Sequence, residues 1–177
     1  KIKRSSFENN YRLREIQIPN EVISIGDKAF AGCYGLKNLS LPSKLNYVGS
    51  FEFCRNIKSI SLPDSIKDTA DGMFTGCEML TSVKLPRKLK AIKAYDFADC
   101  RKLTKLNIPV TVKVVYMSAF AGSGLKKIVL PSNVQKIRNG NDGQKVFEYI
   151  KGVGYPTKNL RVIEIHSKKV KSIQKNS

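Results

Sequence analysis

Residues 18–42 read IPNEVISIGDKAFAGCYGLKNLSLP. The stretch opens and closes on the same phrase, an aliphatic residue followed by proline (Ile18-Pro19, Leu41-Pro42), with Phe30 and Cys33 between. That phrase returns along the chain. Six of the seven prolines (Pro19, Pro42, Pro63, Pro86, Pro109, Pro131) are separated by 23, 21, 23, 23 and 22 residues. Seven of the eight phenylalanines (Phe7, Phe30, Phe51, Phe74, Phe97, Phe120, Phe147) keep the same beat, the last interval stretching to 27. The four cysteines, Cys33, Cys54, Cys77 and Cys100, all occupy one slot, three residues after a phenylalanine. A fixed period of this size marks a stack of small supersecondary units.

The pattern inside one unit predicts its shape. Leu13, Ile16 and Ile18, or Leu36, Leu39 and Leu41, place two apolar residues two apart, which is strand periodicity with one buried face. Proline then ends the strand, because it cannot donate to a ladder. Val22 and Ile25 (likewise Leu45/Val48, Leu89/Ile92, Val134/Ile137) turn a second apolar edge inward. The stretch GDKAF, 26–30, predicts a turn feeding a short helical segment. One such unit cannot bury its own apolar edge, so neighbours must stack into a solenoid with a parallel sheet on one side.

The whole chain reads as one solenoid. Residues 1–12 form a partial N-terminal repeat, since Ile2 and Phe7 keep the spacing of Ile25 and Phe30; 13–137 are regular repeats. An irregular segment, 138–159, contains four glycines and a proline. It reads as a cap over the core's end, with a protruding ligand loop as the alternative. Residues 160–177 form a degenerate capping repeat in which LRVIEI (160–165) resumes the beat and His166 stands in the proline's place. Two residues are missing between Val48 and Phe51, which predicts a tighter turn there. FAGSGL (120–125) brings Ser123 and Gly124 near the cysteine slot.

The stretch 18–42 closely resembles the bacterial leucine-rich repeats of the treponemal and BspA-like type, and the resemblance runs clearly over 2–137 and weakly over 160–173. It implies a leucine-rich repeat solenoid of the α/β type: a right-handed superhelix whose parallel concave sheet of short strands is backed by helical turns. It also implies a noncatalytic surface, secreted or periplasmic protein, some relatives being adhesins for host matrix proteins.

Other features bound the function. Thirty-two Lys and Arg against 14 Asp and Glu give a net charge of +18, which favours polyanions or simply keeps a repetitive protein in solution. No apolar run approaches the ~20 residues that span a bilayer. The chain opens on Lys1 with no signal-peptide pattern, so a processed or engineered start is expected and the compartment is not disclosed.

The cysteines lie 21, 23 and 23 residues apart, far from the two-to-four spacing of zinc ligand pairs. Stacked side chains run parallel, leaving β-carbons too far apart for a disulfide. Reduced, buried packing residues are therefore expected. His166 is the only histidine, and a catalytic role for it is disfavoured. The GVG at 152–154 lacks the third glycine of a dinucleotide fingerprint. No enzyme, cofactor or metal is expected.

The candidate binding face follows from strand alternation. Residues flanking each buried strand centre point out of the concave sheet: Glu15, Gln17, Asn38, Ser40, Ser59, Ser61, Ser82, Lys84, Lys105, Asn107, Lys127 and Val129. A basic edge follows each leading Leu or Ile: Arg14, Lys37, Lys58, Lys126 and Arg161, interrupted by Thr81 and Thr104. Such an edge either binds an anion or is solvated with its side chains splayed apart. Lysines elsewhere, such as Lys67, Lys90 and Lys113, are taken as scattered. The expected partner is a host or matrix protein or an anionic glycan. Self-assembly through solenoid ends, around Ile2 and Phe7, is the first alternative. Nucleic-acid binding is the second, disfavoured because the core consumes the aromatics that would stack on bases.

Overall fold

The computed structural model describes residues 1–138, 162–166 and 172–173. The chain winds as a solenoid of short parallel strands, each pairing with its counterpart one coil away. One column of strands comes from the leucine-rich phrase: β1 (Glu15–Ile16), β3 (Asn38–Leu39), β5 (Ser59–Ser61), β7 (Ser82–Lys84), β10 (Lys127–Leu130) and β12 (Val162–Ile165). A second column follows each proline turn: β2 (Ser24–Ile25), β4 (Tyr47–Val48), β6 (Asp68–Thr69), β8 (Ala91–Ile92), β9 (Val114–Tyr116), β11 (Lys136–Arg138) and β13 (Ser172–Ile173). The first column is broken into the pairs β1-β3, β5-β7 and β10-β12, whereas the second runs as β2-β4-β6 and β8-β9-β11-β13.

The expected helical turns are not formed. The second apolar edge is itself a strand column, and the only helix among the described residues is a 3-10 turn at Met117–Phe120. The backbone around each phenylalanine explains why. Two residues before it, Ser5, Lys28, Gly72 and Tyr95 take φ between 56° and 65°. Two residues after it, Asn9, Gly32, Phe53, Gly76, Asp99 and Gly122 take φ between 56° and 72°. A right-handed helix cannot pass through left-handed residues. The first left-handed residue is absent in two coils, at Gly49 and at Ser118, and the 3-10 turn occurs in the second of these.

The position after phenylalanine alternates between coils for a steric reason. A Cβ on Gly32 would stand 2.3 Å from Oδ1 of Asn9, one on Gly76 2.5 Å from the Phe53 ring, and one on Gly122 2.4 Å from Oδ1 of Asp99. Each side chain in this column thus lies across the bare glycine of the next coil. The shortened second coil closes by the same device: a Cβ on Gly49 would stand 2.3 Å from the Gly26 carbonyl oxygen, so the tighter turn expected there requires glycine.

The core runs the length of the stack. Phe7, Phe30, Phe51, Phe74, Phe97 and Phe120 stack ring on ring with centroids 5.2–6.2 Å apart and planes within 22°. Next to this column each cysteine thiol donates to the phenylalanine carbonyl of the preceding coil: Cys33 to Phe7, Cys54 to Phe30 and Cys77 to Phe51 at 3.1 Å, Cys100 to Phe74 at 3.2 Å. The opening residues join the stack, with Ile2 bridging Ile25 in parallel and the Phe7 amide donating to the Ala29 carbonyl.

Candidate functional site

The face expected to bind is built by strand alternation. Leu39, Ile60, Leu62, Leu85, Ile128 and Leu130 point into the core, so their neighbours must point out. Glu15, Gln17, Asn38, Ser40, Ser59, Ser61, Ser82, Lys84, Lys105, Asn107, Lys127 and Val129 are all exposed. Register stacks Glu15 on Asn38, Ser59 on Ser82, Ser61 on Lys84 and Val129 on Glu164. Because the central side chains are short, they leave a trough of 550 Å³ whose lining includes Ser40, Ser43, Ser59, Ser61, Ser82 and Lys84. A further 280 Å³ around Gln17, Asn20 and Ser40 extends it towards the N-terminus.

The lysines of this face are not equivalent. Lys105 and Asn107 fall in a coil with no first-column strand, so the sheet is interrupted beneath them. Lys127 is neutralised, its Nζ standing 2.7 Å from Oε1 of Glu164; that hydrogen bond holds the Glu164 carboxyl below its usual range. Glu164 also lies 3.5 Å from Nε2 of His166, whose backbone amide donates to the Leu130 carbonyl.

Along the basic edge, Arg14, Lys37 and Lys58 occupy consecutive coils, the Lys37 amide donating to the Arg14 carbonyl at 3.0 Å. Thr81 and Thr104 separate them from Lys126, and Arg161 lies outside the described residues, as do 139–159 of the irregular segment. The track is therefore three coils long before it is interrupted. Lys67, Lys90 and Lys113, read from the sequence as scattered, also stand in one column: all are exposed and the Lys113 amide donates to the Lys90 carbonyl at 2.8 Å. Their 23-residue spacing was the signal that could have found them.

The second strand column carries a different chemistry. The Tyr47 hydroxyl donates to Asp27, and burial together with this bond pushes its ionisation far up. Lys93 donates to the Thr69 carbonyl at 2.6 Å and lies 3.0 Å from Asp68 and 3.8 Å from Asp71. Inside the turn above it, the buried Asp96 carboxylate accepts from the Lys93 amide at 2.7 Å and the Met73 amide at 3.3 Å; burial pushes its pKa up to about 7. All four thiols are free and buried, and burial raises each pKa, so these sulfurs are poor nucleophiles.

Stacked coils of this length and pairing match a known repeat. The sequence matches the BspA type leucine-rich repeat region in six copies, over residues 1–126 and 49–152. The chain belongs to this family. Among solved structures it is similar to a leucine-rich cell surface protein of Faecalibacterium prausnitzii, with 28% identity and a TM-score of 0.72 over 94% of this chain and 43% of that one. It is also similar to the leucine-rich repeat protein of T. pallidum, with 26% identity and a TM-score of 0.69 over 83% of this chain and 67% of that one. A leucine-rich repeat protein of Bacteroides ovatus matches at 25% identity and a TM-score of 0.59, over 96% of this chain and 54% of that one. The chain thus spans about half the length, or less, of the F. prausnitzii and B. ovatus proteins. No curated protein matches it. BspA type repeats suggest a noncatalytic interaction module, and no helix among the described residues is long and apolar enough to cross a membrane.

Proposed function

We propose that this BspA type solenoid is a noncatalytic interaction module at a bacterial surface, binding a host or matrix protein or an anionic glycan across its concave face. The observation that supports this reading is the serine-lined trough of 550 Å³. Its polar groups are exposed on a scaffold whose coils are fixed by the core behind them. Short hydroxyls and amides ordered by a rigid sheet offer many hydrogen-bond donors and acceptors with little side-chain entropy to lose. The similarity to a protein described as a cell surface protein supports the location.

The test is surface plasmon resonance of the full chain against a panel of extracellular matrix proteins and glycosaminoglycans. Ser61→Trp fills the trough from an exposed position without touching the core. It is expected to weaken a matrix-protein interaction by roughly tenfold, equivalent to about 1.4 kcal/mol. Unchanged binding by Ser61→Trp would place the contact elsewhere.

A further inference from the structure

The basic edge adjoins a groove of 480 Å³ lined by Tyr11, Arg12, Arg14, Gly35, Lys37 and Asn56. Half of that lining is cationic. Among the described residues, none of Arg12, Arg14, Lys37 or the next rung, Lys58, has a carboxylate within ion-pair distance. Most cations among the described residues are likewise unpaired, the exceptions being Arg55, Arg87, Lys93, Arg101 and Lys127; what sets this edge apart is that its free cations line one groove beside exposed aromatic rings. Two aromatic rings flank the same edge: Tyr11 is 62% exposed and Tyr34 41% exposed. The Arg12 guanidinium lies 5.9 Å from the Tyr11 ring centre and that of Arg55 4.9 Å from the Tyr34 ring centre. The groove's floor is backbone: Gly35 packs so closely that a Cβ there would stand 2.7 Å from the Tyr11 carbonyl oxygen. Asn56 ties the coils together by donating to the Tyr34 carbonyl at 2.6 Å.

We propose that this groove binds an acidic polysaccharide, with sulfate or carboxylate groups between Arg12, Arg14 and Lys37, Lys58 continuing the track, and sugar faces lying on Tyr11 and Tyr34. The inference rests on the reading of the chain as a binding module, and it assigns the anionic ligand to the edge rather than to the trough. Cations repeating every ~4.8 Å, the spacing of adjacent strands, repel one another across a distance shorter than the ~8 Å Debye length. A polyanion running along the rungs converts that repulsion into attraction. One small anion reaches only part of a three-coil track, so the arrangement suits a polymer. The exposed tyrosines offer apolar plates with polar tips, a surface that a purely electrostatic site does not need.

The experiment titrates the full chain with heparin, hyaluronan, neutral dextran and oligo-deoxythymidine at ~50 and ~200 mM salt. One variant combines Arg14→Ser, Lys37→Ser and Lys58→Ser. A charge-matched control combines Lys44→Ser, Lys88→Ser and Lys102→Ser, three exposed lysines that do not occupy adjacent rungs of one column. The edge variant is expected to bind heparin roughly tenfold or more weakly with a flatter salt dependence, and the control to stay within about twofold. Tyr11→Ala with Tyr34→Ala weakens heparin binding while leaving the salt slope unchanged. Hyaluronan binding alongside heparin assigns carboxylate recognition; heparin alone assigns sulfate. Equal losses in both triple variants overturn the proposal, as does tighter binding of the oligonucleotide than of heparin through the same residues. The matrix-protein panel with Ser61→Trp reads the trough and the heparin titration of the Arg14, Lys37 and Lys58 variant reads the edge, so failure of the trough and failure of the edge are read separately.

Discussion

The first strand column and the phenylalanine-cysteine column run side by side through the same coils, yet they are built differently. The strand column breaks into three two-stranded pieces and leaves one coil without a first-column strand. The phenylalanine column continues without a gap through six rings, and four thiol-to-carbonyl bonds accompany it. The coils are therefore held in register chiefly by buried side chains on the turn side, and the sheet is free to present whatever residues a partner needs. A surface can vary when its geometry is fixed elsewhere.

That contrast is most directly broken at Phe74, whose ring is fully buried between Phe51 and Phe97. Phe74→Ala is expected to cost about 3–5 kcal/mol, the range for emptying an aromatic core site. Val83→Ala, at the half-buried centre of β7, is expected to cost about 1–2 kcal/mol on the same scale. Urea unfolding of the two variants decides the matter, and equal costs would return the sheet to the leading role.

Asp96 sharpens the comparison on the turn side through pH. Its pKa is raised to about 7, so the folded chain keeps its proton while an unfolded chain has already released it near the ordinary carboxyl value of about 4. Its contribution is complete below that lower value and is lost as pH rises towards 7, by up to about 4 kcal/mol. Asp96→Asn removes this dependence. Melting temperatures at pH 5 and pH 8 are expected to differ less in the variant than in the parent, and an undiminished difference would rule Asp96 out as its source.

Two smaller substitutions test the columns further. Cys77→Ser keeps a donor towards the Phe51 carbonyl and is expected to cost about 1 kcal/mol; Cys77→Val replaces the donor with a somewhat larger apolar side chain and is expected to cost more. If valine were better tolerated, the thiol would be a filler alone. Ser118 carries a buried hydroxyl with no hydrogen-bond partner. Ser118→Ala is expected to be neutral or to stabilise by up to about 1 kcal/mol in chemical denaturation, because an unsatisfied buried polar group is costly.

Much of this arrangement was legible in the residues. The recurrence of Pro, Phe and Cys dictated stacked coils, because a unit of some 23 residues with one apolar edge has nowhere else to bury it. Alternation around Leu39, Ile60 and Leu85 identified which side chains leave the sheet, since successive residues of a strand point to opposite faces. Cys33, Cys54, Cys77 and Cys100 were legible as buried thiols, but their bonds to the phenylalanine carbonyls were not, because spacing does not reveal which carbonyl lies above a side chain.

The rest needed the stacked coils. Left-handed residues such as Lys28, Tyr95 and Phe53 carry no glycine to announce them, and they replaced the expected helical turns with strands and tight corners. Neutralisation of Lys127 required Glu164 to be brought alongside from a distant coil. Freedom of Arg12, Arg14 and Lys37 was likewise invisible, because having no ion-pair partner is a property of neighbours in space. By itself, then, the sequence determined the repeat, the direction of its core and the list of exposed residues, all of which follow from local periodicity. Only the tertiary structure decided which charges are paired and where the surface opens into a groove, because pairing and shape depend on distances between coils that a one-dimensional period leaves open.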